Sequence, residues 1–337
     1  MQAFVVEEYG ARLHAAEVPE PVVGPQDVLV RVRAASINPL DKMVRDGEFK
    51  QILRYKTPFV LGHDVAGIVA QVGADVRGFE VGDEVYSRPR DLRIGTFAEY
   101  IAIDQADVAI KPKSLTMDEA AAVPLVALAA WQALVDLAQV KPNQKVLIHG
   151  GAGGLGSTAV QLARHLGAHV ATTARGRGEA KVRGLGAHEV VDYTTEDFTE
   201  VLSGYDVVLD SVGGDNLMRS LTVLRPGGLA ISVVGPPDVA FAEQVGQPLL
   251  KPVMWLLSRK VRAQAKKLGV RYSFFFMRAS GAQLETLAGL YDACALRPVL
   301  DRAFPFADTP EAMAYVEEGR AEGKVVVTME PSDNAER

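Results

Sequence analysis

The sequence predicts an α/β protein: a doubly wound parallel sheet preceded by a smaller β-rich region. Three observations predict it. An apolar strand at 145–149 runs through a glycine-rich turn into an amphipathic helix; apolar strand-like runs then alternate with helical segments as far as Phe276; and the first 120 residues instead carry short alternating stretches separated by Gly, Pro and Asp.

Taken in order, 28–33 and 67–73 read as antiparallel strands of the β-rich region. An alanine-rich helical stretch, 116–138, follows with Pro124 interrupting it, and serves as the hinge. Strands of the parallel sheet are expected at 145–149, 169–174, 188–193, 205–210, 229–234 and 271–276. A helix at 281–295 and a last strand at 324–329 then return the chain to the first region. The insertion at 238–270 is unusual, with Leu249, Leu250, Val253, Trp255, Leu256 and Leu257 ahead of the basic series Arg259, Lys260, Arg262, Lys266 and Lys267. It reads as a helix packed on its own domain with a solvated basic face, as a cleft cap or subunit contact, or as an amphipathic surface for an anionic membrane.

Composition narrows the class. The 337 residues are 48% apolar and 23% charged, enough to bury the cores of two domains, and a net charge of −6 argues against a nucleic-acid partner. No apolar run reaches membrane-spanning length. The single cysteine, Cys294, excludes an internal disulfide and thiolate-rich zinc sites, and is expected in the core. Without a basic leader and apolar run at the N-terminus, no secretory signal is expected, and the reading is cytoplasmic.

The glycine turn carries the chemistry. In Gly151-Ala152-Gly153-Gly154-Leu155-Gly156, flanked by Val146, Leu147 and Ile148 and by Leu155, Ala159, Leu162 and Leu166 at helical spacing, the glycines permit a tight turn and close approach of a pyrophosphate. Gly153, Gly154 and Leu155 are expected to line it. About 20 residues on, an NAD site places an acid on the ribose 2′-hydroxyl. Arg175 and Arg177 stand there instead, suited to a 2′-phosphate, so the expected cofactor is NADP(H). Val234-Gly235 and Phe275-Phe276, at the ends of later strands, are expected to flank the nicotinamide.

Beyond these residues lies a resemblance. The series Ser36-Ile37-Asn38-Pro39-Leu40-Asp41, Leu61-Gly62-His63-Asp64-Val65-Ala66-Gly67, Val81-Gly82-Asp83-Glu84-Val85-Tyr86, Gly95-Thr96-Phe97-Ala98-Glu99-Tyr100, the glycine turn, Leu185-Gly186-Ala187 and Gly323-Lys324-Val325-Val326 covers nearly the whole chain. It resembles the medium-chain dehydrogenase/reductase superfamily, in particular the zinc-free quinone oxidoreductase and alkenal/enone reductase branch. The resemblance implies a GroES-like catalytic domain from both chain ends, 1–124 and 279–337, a Rossmann NADP(H)-binding domain at 125–278, and a homodimer.

It also implies roles. Alcohol dehydrogenases of the superfamily hold zinc with Cys, His and Cys, where this chain has Asn38, His63 and Leu125. One ligand of three cannot hold zinc, so no metal is expected and His63 reads as a packing histidine. Asn38 is expected as an amide donor near nicotinamide or substrate carbonyl, and Asp41 as the residue orienting its neighbours, although both also suit the cap of the following turn. A lysine that several enone reductases carry two positions after the aspartate falls on Met43; Lys42, one position earlier, is the candidate in its place. Tyr193 matches a position at the 2′-phosphate and Lys324 a position near the cofactor. Ala129 replaces a threonine that often contacts the cofactor.

The implied reaction is NADPH-dependent hydride transfer, without a metal, to a small-molecule quinone or to the C=C bond of an enone or enal. In such acceptors the charge arriving with hydride delocalises onto oxygen. The competing readings are an NADPH-binding sensor without turnover and an alcohol dehydrogenase using adventitious metal.

Overall fold

The computed structural model describes residues 1–329, and the chain divides into two compact units: Met1–Leu128 with the segment from Arg278 onward, and Ala129–Met277. The division between Leu128 and Ala129 falls inside the helix Pro124–Trp131, four residues beyond Pro124. Pro124 opens the helix Pro124–Trp131, its missing N–H falling where no intrahelical bond is needed, after a short helix Met117–Ala121 capped by Thr116 and Glu119. A wider, π-type turn at Gln132–Leu137 follows.

In the first unit the long strand Asp27–Ile37 is the spine. It pairs antiparallel with Asp64–Val72, Tyr100–Asp104 and the C-terminal strand Lys324–Thr328, and Glu84–Ser87, Val108–Ile110 and Leu300–Pro305 extend the sheet. Val28, Val30, Val32, Ala34 and Ala35 are buried along it, as expected of a strand covered on both faces. Its register matters more for function. Val325 lies opposite Ile37, and Ser36 lies opposite both Val326 and Asp64, so Lys324, Asn38 and Asp64 meet at one end of the spine. A smaller sheet joins His14–Glu17, Gln2–Val6 and Phe59–Val60.

The sequence reading did not find the strand Leu300–Pro305 or the helix Thr309–Glu317. The strand is almost wholly exposed, so it carries no buried alternation to read. Cys294 departs from expectation as well: it is exposed, not core. The helix Gly281–Asp292 ends just before it, and a left-handed φ of 56° turns the residue outward while its N–H bonds the Tyr291 carbonyl.

The second unit is a six-stranded parallel sheet in the order Glu189–Asp192, His169–Ala174, Lys145–Ile148, Tyr205–Asp210, Leu224–Ser232, Arg271–Phe274. The chain winds outward from Lys145–Ile148 in one direction and then, from Tyr205, in the other. A crevice at the carboxyl ends of these two central strands is where such sheets bind ligands. Val146, Leu147 and Ile148 are fully buried, and the helix Gly154–His165 buries Ala159, Val160, Leu162 and Ala163.

Candidate functional site

Sterics divide the work among the glycines after Ile148. A Cβ on Gly151 would lie 2.1 Å from Thr172 Oγ1, and one on Gly156 would lie 2.1 Å from the Gly150 carbonyl oxygen. Both positions are closed to any side chain by close packing. A Cβ on Gly153 would meet nothing nearer than 3.4 Å, so here the backbone is open to an approaching group. Gly153 is also the N-cap of the helix Gly154–His165 and offers no side-chain acceptor, which leaves the first-turn N–H groups for an anion. The cradle fits a dinucleotide pyrophosphate.

Beneath the turn lies His149, which sequence reading missed. It is buried, with Nδ1 3.1 Å from Thr173 Oγ1 and Nε2 2.8 Å from Ser220 Oγ. Burial pushes its pKa down to about 4, against the opposing pull of the Asp210 carboxylate, and keeps the ring neutral at pH 7.

Next to the cradle the structure brings Arg175 and Tyr193 together, with Arg175 Nε donating to Tyr193 Oη at 2.8 Å. Both are exposed, and Arg177 follows in the turn Gly176–Gly178. Asp192 was not foreseen here. It sits opposite Ala174, and a Cβ on Gly176 would lie 2.7 Å from its Oδ2. Hydrogen bonds from the Thr194 hydroxyl and amide hold its carboxyl below the usual range. Val234 and Gly235 follow the strand Leu224–Ser232, and Phe275 and Phe276 follow Arg271–Phe274. The Phe275 N–H bonds the Ser232 carbonyl at 2.9 Å, while the Phe276 ring packs edge-on against Phe241 at 5.3 Å.

The first unit holds a buried polar centre. Asp64 is fully buried and accepts from Ser36 Oγ at 2.8 Å, Asn38 Nδ2 at 2.9 Å, the Leu125 N–H at 2.8 Å and Lys324 Nζ at 3.2 Å. Lys324 Nζ also donates to Asn38 Oδ1 at 2.5 Å. Asn38 turns its amide group toward the Ser36 carbonyl as well, at 3.4 Å, so its donors and acceptor are committed inside the protein. Its geometry is that of a structural bridge. Lys324 likewise spends its ammonium on this bridge.

Asp41 bridges two buried groups. One carboxylate oxygen accepts the Asn38 N–H at 2.7 Å as the cap of the helix Pro39–Arg45, and the other lies 2.6 Å from His63 Nδ1. His63 is fully buried, and its Nε2 has no hydrogen-bond partner among the described residues. Lys42 is engaged with Asp46, its Nζ 2.5 Å from the carboxylate, whose hydrogen bond and charge raise the ammonium's pKa.

The two units thus define a class: a nucleotide-binding Rossmann unit inserted in a β-rich unit closed by both chain ends, the build of a pyridine-nucleotide oxidoreductase. Residues 24–113 match the model of the alcohol dehydrogenase GroES-like domain, and 185–327 match that of the zinc-binding dehydrogenase. The mitochondrial NAD(P)H oxidoreductase RTN4IP1 of Danio rerio is 34% identical over 98% of this chain and 91% of its own. The chloroplastic NADPH-dependent alkenal/one oxidoreductase of Arabidopsis thaliana is 31% identical over 97% of this chain and 79% of its own. Among solved structures, the quinone oxidoreductase from Coxiella burnetii superimposes with a TM-score of 0.86 at 30% identity, covering 98% and 99% of the two chains. The chain belongs to the medium-chain dehydrogenase/reductase superfamily.

These relatives correct the cytoplasmic reading, since the zebrafish protein and its mouse, human and bovine counterparts, at 33–34% identity, are all named mitochondrial. The reading rested on one cysteine and an unremarkable N-terminus. A lone thiol reports a reducing environment, which more than one compartment provides.

The family also raises zinc, and the donor set does not fit it. Leu125 has no side-chain donor, the Asn38 amide is committed, and the Asp64 carboxylate already carries the Lys324 ammonium. His63 Nε2 leaves one lone pair where a catalytic zinc takes three protein ligands. What sequence reading underrated was Asp64 with Ser36. The signal was a carboxylate opening an otherwise apolar strand, DVAGIVA.

Proposed function

We propose that the protein is an NADPH-dependent reductase that delivers hydride, without a catalytic metal, to a quinone or to the C=C bond of an α,β-unsaturated carbonyl compound. The observation that carries this is the buried Lys324–Asp64–Asn38 bridge, a fixed ammonium on the carboxylate beside the zinc-ligand positions. Lacking a Lewis acid, the site suits acceptors that delocalise the incoming charge themselves.

Bound NADPH supplies the hydride. Gly153, Gly154 and Leu155 would hold its pyrophosphate on open backbone N–H groups, and Arg175, Arg177 and Tyr193 its 2′-phosphate. Val234, Gly235 and Phe275 would flank the nicotinamide. Asp41 and Asn38 fix the backbone and the His63 ring, and act as positioning residues. Hydride adds to the β-carbon or quinone ring, the electron pair moves to the carbonyl oxygen, and a proton from solvent completes the enol or hydroquinone. We also propose a homodimer in which the edge strand Arg271–Phe274 pairs with a second copy.

The test is NADPH consumption by metal-free protein against 1,4-benzoquinone, 9,10-phenanthrenequinone, an alkenal, an alkyl vinyl ketone and a saturated aldehyde. Turnover with the conjugated acceptors and none with the saturated aldehyde is the expected result. Tight NADPH binding with silence across the panel would replace the proposal with a sensor.

A further inference from the structure

The consecutive helices Lys251–Leu257 and Arg259–Leu268 of the second unit expose apolar and basic side chains. Leu249, Val253, Trp255, Leu256 and Leu257 are each at least half exposed, Leu249 at 91%. The second helix is anchored to its own domain by Val261 and Ala265, which join the core with Val208, Leu221 and Val270. In the first, Met254 is the buried residue. Packing on its own domain therefore explains the second helix and leaves the apolar residues around the first without a reason to face water.

Charge narrows what could cover them. From 245 to 270 the chain carries six basic residues and no acidic one, although its net charge is −6. Lys251 is paired with Glu243 at 2.5 Å, and the Arg262 guanidinium lies over the Trp255 ring at 5.2 Å and holds the Trp255 carbonyl. Arg259, Lys260, Lys266 and Lys267 have no ion-pair partner among the described residues. A second copy docked two-fold on the same patch would bring a second set of these cations and, from 245 to 270, no acid to pair them. An anionic lipid surface matches both components: cations for the head groups, and indole and leucine side chains for the boundary with the acyl chains.

We infer that residues 248–268 form a peripheral docking surface for an anionic bilayer. The contact is superficial, because no helix among the described residues is long and apolar enough to cross a membrane. The inference does not depend on the substrate.

The full chain with NADPH bound is sedimented with vesicles of equimolar phosphatidylglycerol and phosphatidylcholine, and with phosphatidylcholine alone. Binding to the anionic vesicles at low salt, its loss at high salt, and a blue shift of Trp255 emission are expected. Lys260→Gln with Lys267→Gln should weaken partition by about fivefold per cation removed. Leu256→Ser with Leu257→Ser should abolish the shift, and both exposed-site variants should keep NADPH affinity, which shows them folded. Failure of the wild-type chain to bind anionic vesicles at low salt, or equal binding by the variants, would overturn the inference. A wild-type oligomer that the leucine variant dissolves, with no vesicle binding, would make the face a subunit interface instead.

Discussion

Lys324 and Asp64, 260 residues apart in the chain, form an ion pair at 3.2 Å whose side chains are 6% and 0% exposed. Removing the cation alone leaves a buried carboxylate short of a partner. Lys324→Met is expected to destabilise the first unit by about 3 kcal/mol, the lower end for a broken buried pair because Ser36, Asn38 and the Leu125 N–H still donate to Asp64. Adding Asp64→Asn should recover part of the loss. Thermal unfolding of both variants checks it, and a double variant no more stable than Lys324→Met would show that the pair does not act as a pair.

Chelation should leave turnover unchanged. The donor set around His63 offers one ligand where three are needed. Activity that disappears with a strong chelator and returns with zinc would refute the metal-free reading.

Arg175→Ala is expected to raise the KM for NADPH by about tenfold or more, the loss of one charge-assisted hydrogen bond, with kcat and the KM for NADH little changed. Steady-state kinetics with both cofactors decide this. Equal effects on NADPH and NADH would place Arg175 away from the 2′-phosphate, and Asp192 beside Gly176 would then be the residue to examine at the ribose.

Lys42→Met should leave turnover within about twofold of wild type, since Lys42 is engaged with Asp46 as an i,i+4 pair of the kind that contributes little. A large fall in kcat with NADPH affinity intact would restore Lys42 as a catalytic residue.

The buried His149 makes stability depend on pH. Its folded pKa, about 4, lies below the ordinary value of 6.5, so between those values the unfolded chain binds the extra proton and stability falls as pH falls. The contribution is fully present above pH 6.5 and is lost by about pH 4, amounting to about 3 kcal/mol. Unfolding measured across that window should be less pH-dependent for His149→Phe than for wild type. Equal slopes would show that the imidazole is not held neutral.

The sequence by itself determined the Rossmann sheet, the glycine cradle and the family, because the signals lie within contiguous stretches: strand, turn and helix at 145–165, with periodic apolar residues that have one way to bury themselves. The place of Arg175, at the end of the next strand, was legible for the same reason. The tertiary structure alone decided what the polar side chains do. Asp64 meets Asn38 across 26 residues, and Lys324 reaches Asn38 across 286, through strand register that no local pattern encodes. That register gives the Asn38 amide its partners Asp64 and Lys324. Helix ends did the same elsewhere, sending Lys42 toward Asp46 and Cys294 toward solvent. An apolar period fixes which face is buried, whereas a polar side chain takes whichever partner the fold brings within hydrogen-bond distance.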